Sequence, residues 1–79
     1  MAGFPESVIE EAWQRADGRC ECNRTTHDHG YGRCNKILLR FNRSIGDWGK
    51  WEAHRKNSRG EDVLSNCEIL CWDCYKLSR

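Results

Sequence analysis

Six cysteines in a chain of 79 residues, arranged CEC, a lone Cys34, then CEILCWDC, constrain this sequence more than any other feature. Only 38% of the residues are hydrophobic, too few for a domain this small to fold by burial alone. Chains of this size usually add a disulfide or a metal staple. The N-terminal MAGFPESVIEEAWQ lacks a basic region followed by an apolar run, so neither a secretory signal nor a membrane span is expected. An intracellular, cytoplasmic setting follows as the expectation, and in a reducing compartment thiols read as metal ligands.

Cys71-Trp72-Asp73-Cys74 has the spacing that lets two thiolates share one tetrahedral ion from a single turn of backbone. The other two ligands must come from upstream. The preferred set is Cys20 and Cys34 with Cys71 and Cys74, holding structural zinc, and Cys22 is able to replace either upstream thiolate. Spare donors leave room for a second site of Cys22, His27 and His29 with Cys34. Against it, paired sites demand more ligands than the chain supplies without sharing, and at least one of the two imidazoles reads as a surface loop residue. Cys67 reads as a small buried residue.

The remaining pattern implies a single domain over residues 1–79 with the order helix, ligand loop, strand, strand, helix. Val8, Ile9, Ala12, Trp13 and Ala16 recur at helical spacing after Pro5 and before Asp17-Gly18, with Trp13 in the core. The apolar run ILLRF at 37–41 predicts a strand, residues 48–54 its partner, and 42–47 the turn between them. RKNSRGED reads as a polar loop, after which Leu64-Ser65-Asn66 leads into a final helix carrying Ile69, Leu70 and Leu77.

Charge is unevenly spread. The net charge is +1, yet residues 33–59 hold eight bases and two acids. A basic stretch of this kind fits contact with phosphate or an acidic protein face, and equally a solvated surface.

The segment WEAHRKNSRGEDVLSNCEILCWDCY, residues 51–75, resembles the catalytic segment of HNH nucleases, whose pattern is an acid or His next to a His, a Gly-containing loop, an Asn, then LCxxCH. The match is specific over LSNCEILCWDC and loose over the N-terminal half. The resemblance implies an α+β, zinc-stabilised ββα-metal domain with an N-terminal helix. It places His54 at a metal-ligand position, Arg55 at the general base, Asn66 at the residue that orients the base, and Tyr75 at the second metal ligand. With the register slipped by one, His54 is the base and Ala53 replaces a ligand. Either way two of four functions are missing. Arginine stays protonated at physiological pH and cannot take a proton from water. Tyrosine binds metal only as a phenolate, with a reference pKa near ~10. A single imidazole holds Mg²⁺ poorly, so a catalytic divalent cation is doubtful unless Glu52 or Asp73 compensates.

The expectation is therefore a catalytically inactivated, HNH-like protein of phage or mobile-element type. It would act as a binding module or inhibitor on nucleic acid or on a nucleoprotein complex of a host defence system, such as an anti-CRISPR protein, with no membrane or small-molecule partner. Arg43, Lys50, Arg55, Lys56 and Arg59 are the expected contacts. Trp48 and Trp51 would stack or anchor, unless they fill the hairpin core, which suits Trp51 better. The alternative is an active, metal-dependent nicking endonuclease with an unusual ligand set. A plainer reading is a zinc-stapled domain that supports a larger assembly.

Overall fold

The computed structural model describes residues 4–23, 32–57 and 59–78. Helix α1 spans Glu6–Ala16, strand β1 Trp51–Arg55, strand β2 Cys67–Cys71 and helix α2 Trp72–Ser78, with a single 3₁₀ turn at Leu64–Asn66 leading into β2. The result is a small α+β unit with two helices and one two-stranded antiparallel sheet. No helix among the described residues is long and apolar enough to cross a membrane.

α1 forms where its spacing predicts and buries Ile9, Ala12 and Ala16. It ends because Asp17 turns left-handed at φ 57° and Gly18 follows at φ 68°. Arg33 then donates to the last helical carbonyl, Ala16 O, at 2.5 Å, and to Arg19 O beyond the helix at 3.2 Å. A guanidinium at a helix C-terminus is favoured by the aligned peptide dipoles as well.

The predicted hairpin pairs differently. β1 does not meet residues 37–41 but β2, in the register Trp51↔Cys71, Glu52↔Leu70, Ala53↔Ile69, His54↔Glu68 and Arg55↔Cys67. Ile69 and Leu70, expected on the last helix, are therefore strand residues, and that helix starts at Trp72 instead of near residue 64. The reason is burial. All five residues of β2 are enclosed, whereas the run at 37–41 buries only Leu38 and leaves Ile37 52% and Phe41 87% exposed. That run is a brace: Leu38 N–H donates to Gly18 O at 2.9 Å and Leu39 N–H to Gly49 O at 3.0 Å. Gly49 permits this approach, because a Cβ there would stand 2.8 Å from the Leu39 nitrogen.

Alternation along the strands divides the sheet into two faces. Trp51 lies on the face covered by α1, its ring 4.8 Å from that of Trp13, and its indole N–H donates to Leu39 O at 2.8 Å. Trp51 is thus core, as its place in the sequence suggests. His54 lies on the other face, toward Tyr75 of α2. The outer edge of β2 is closed by Glu21, whose N–H donates to Ile69 O at 2.7 Å while its carboxylate accepts the Ile69 N–H at 2.8 Å. Arg15 locks that carboxylate with two hydrogen bonds of 2.7 and 2.8 Å and reaches Cys67 O at 2.5 Å.

Candidate metal centre and the face around His54

Two local devices bring four thiols together. The first is a clip between residues 20–22 and 34–36: Cys20 N–H donates to Lys36 O at 3.0 Å, Asn35 N–H to Cys20 O at 3.2 Å, and Cys34 N–H to Cys22 O at 2.7 Å. Arg33 fastens it with a 2.9 Å bond from Nε to Cys20 O. The second is the junction of β2 with α2, where Cys71 ends the strand and Cys74 sits in the first turn of the helix.

Their sulfurs, of Cys20, Cys34, Cys71 and Cys74, all lie within 4.8 Å of one another, an arrangement that can hold a metal ion such as zinc. With Zn–S bonds near 2.3 Å a tetrahedral edge is about 3.8 Å, so an ion asks for small side-chain movements and no refolding. Cys20, Cys71 and Cys74 are buried and Cys34 is partly so, which shields the site from solvent.

The electrostatics point the same way. Cys71 is held well below the ordinary thiol range, first by a hydrogen bond from the Cys20 thiol, then by the backbone N–H and thiol of Cys74. Cys20 is pushed up by that same bond, and Cys74 by burial and by Cys71. A cation entering the cluster displaces the protons that its thiols still carry.

Cys22 is also buried but stands outside the group of four. His27 and His29 lie outside the described residues. Cys67 is a fully buried thiol pushed up to about 11 by desolvation, in keeping with its reading as a small core residue.

The other sequence-predicted residues gather on and around the hairpin. His54 and Tyr75 face each other edge to plane, ring centroids 6.2 Å apart. His54 Nδ1 stands 2.7 Å from a carboxylate oxygen of Glu68, its cross-strand partner. The contact fixes the orientation of the imidazole ring. Glu68 was not foreseen. Its role follows from a register between residues 14 apart in sequence.

Arg55 points to the opposite side of β1. Its guanidinium pairs with Asp62, donates to Gly60 O at 3.0 Å and lies 5.4 Å from the Phe4 ring centroid. Asn66 clasps the loop before β2. Its Oδ1 accepts the Asn57 N–H at 2.8 Å, and its Nδ2 donates to Asn57 O at 3.1 Å and Glu61 O at 3.0 Å. Gly60 lets the loop close on this amide, since a Cβ there would meet Asn66 Nδ2 at 2.7 Å. Asn66→Ala is expected to cost about 1–2 kcal/mol, three partly exposed hydrogen bonds being lost together. Amide exchange at Asn57 and Gly60 should accelerate while that in β2 does not; equal protection in variant and wild type would refute the clasp.

The two carboxylates considered as substitute ligands are occupied elsewhere. Glu52 accepts from Arg43 at 2.5 Å and from the hydroxyl of Ser44, and Asp73 pairs with Lys36 at 3.1 Å.

The basic stretch of residues 33–59 is largely matched in three dimensions by acids from the rest of the chain. Arg40 pairs with Glu10 at 2.6 Å, Arg43 with Glu6 at 3.5 Å, Lys36 with Asp73 and Arg55 with Asp62. Lys50 lies 3.9 Å above the Trp72 ring. Lys56 and Arg59 are exposed, and among the described residues neither has an ion pair.

Compared with family models, with curated proteins and with solved structures, the chain matches none. Fold and site therefore define the class by themselves: a small α+β domain with a four-cysteine cluster able to hold a metal ion.

Proposed function

We propose that this chain is a zinc-stapled, HNH-like ββα domain that has lost its catalytic chemistry and serves as a binding module for nucleic acid or for a nucleoprotein complex. Zinc is the metal that four clustered thiols favour in a closed, tetrahedral, redox-silent site. The observation that carries the reading is the pairing of His54 with Tyr75 across a β1, β2, α2 unit while Arg55 turns to the other side of the strand. That arrangement keeps one imidazole, offers a phenol where a second would stand, and supplies no base at Arg55. Lys56 and Arg59 are exposed cations near β1 that a polyanion can reach, and inhibition of a host defence complex is one form such binding would take.

One observation favours the alternative of a nicking endonuclease. Glu68 stands beside His54 and offers the hard oxygen that the sequence pattern lacks. A plasmid-nicking assay with zinc-loaded protein in Mg²⁺, Mn²⁺ and Ni²⁺ separates the two. Wild type is expected to be silent and Arg55→His/Tyr75→His to cleave. Wild-type cleavage that disappears in His54→Ala would replace the binding reading with the enzyme.

A further inference from the structure

A cleft of about 220 Å³ lies between the turn 46–50 and the start of α2. Trp48, 62% exposed, and the half-buried Trp72 line it together with Lys36, Lys50, Asp47 and Asp73. We propose that this cleft takes a base of a single-stranded nucleic acid, an inference that rests on the nucleic-acid partner in the reading above.

Four observations converge on that ligand. The volume falls below the ~300–1,000 Å³ of small-molecule pockets and suits one planar ring with the rest of the ligand outside. Trp48 holds a large ring 62% exposed at the edge of the cleft, where its face is open to a planar ligand. Trp72 stacks on Tyr75 at 5.3 Å between ring centroids, and Tyr75 meets His54, so the cleft continues a row of aromatic rings that crosses α2 to β1. Lys50 over the Trp72 ring places positive charge where a backbone phosphate would pass. Aromatic platforms flanked by cations are how proteins hold unpaired bases, because every base presents a π face while a duplex hides it. Of the two acids, Asp73 is matched by Lys36 at 3.1 Å and Lys76 at 3.9 Å, which leaves Asp47 as the charge opposing a polyanion.

The test uses the full zinc-loaded chain at low salt, with fluorescence anisotropy of a labelled oligothymidylate and of a duplex of equal length. The single strand should bind at least about tenfold tighter, and Trp48→Ala should weaken it about tenfold. Asp47→Asn should tighten it, while Phe41→Ala, an exposed aromatic outside the cleft, should leave it unchanged. Equal affinity of Trp48→Ala and wild type, a preference for duplex, or no binding of the single strand overturns the cleft. Cleavage by the Arg55→His/Tyr75→His variant alongside any of those results removes the cleft alone. A silent variant with Trp48-dependent binding removes the HNH-like reading and leaves the cleft standing.

Discussion

Removing the metal from the zinc-loaded protein with a strong chelator at neutral pH is expected to abolish its helical circular dichroism. Structural zinc contributes roughly 10–16 kcal/mol in small zinc-binding peptides at neutral pH. A whole domain is commonly stable by only about 5–15 kcal/mol, so loss of the ion leaves little or nothing. Here the four thiols join the clip at 20–22 and 34–36 to the junction of β2 with α2, and the described core beyond them is short of large apolar side chains. Cys74→Ser should behave like chelation, because it takes away one ligand and loosens the start of α2. Cys67→Ala, at an equally buried thiol outside the cluster, should cost only about 1–2 kcal/mol. Retention of helical signal after metal loss has been verified by elemental analysis would refute the staple.

That four-thiol set is the part of the molecule most legible in the sequence, since the CxxC spacing is a local property and the count of cysteines limits what can complete it. The hairpin is less so. Both ILLRF and CEILC are short apolar runs, and period alone does not tell which one a neighbouring strand will cover. Burial decides between them, and Glu21 and Arg15 then close the outer edge of β2 from the other end of the chain. Charge shows the same limit. Residues 33–59 look strongly basic in one dimension, but Glu6, Glu10 and Asp73 are placed against them only once α1 and α2 pack, and Asp62 only once the loop before β2 closes. Glu68 is illegible in the sequence for that reason also, as its partner His54 becomes visible only with the strand register. Helix α1 is legible because its spacing, its Pro5 start and its Asp17-Gly18 stop are all local.

The single side chain whose loss should cost most is Trp51. It is fully buried, packs on Trp13, lies 5.8 Å from the Arg43 guanidinium and ties the brace at Leu39 to β1 through its indole N–H. Trp51→Ala removes that ring from a core with few neighbours able to close the gap, and substitutions of this type cost about 3–5 kcal/mol. In a chain this small the expected result is a zinc-bound protein that unfolds at a much lower urea midpoint or does not reach a folded baseline. Trp51→Phe keeps much of the volume and removes one of two hydrogen bonds to the Leu39 carbonyl, which still accepts the Asn42 N–H at 2.9 Å, for about 1 kcal/mol. Trp48→Ala, at an exposed ring on the neighbouring turn, should shift the midpoint by no more than about 0.5 kcal/mol. Circular dichroism is the appropriate readout, because each variant also removes a fluorophore. The order Trp51→Ala, Trp51→Phe, Trp48→Ala from largest to smallest loss follows if Trp51 joins α1, the brace and the sheet into one core. Similar midpoints for Trp51→Ala and Trp48→Ala would mean that the metal clip holds the fold without that contact.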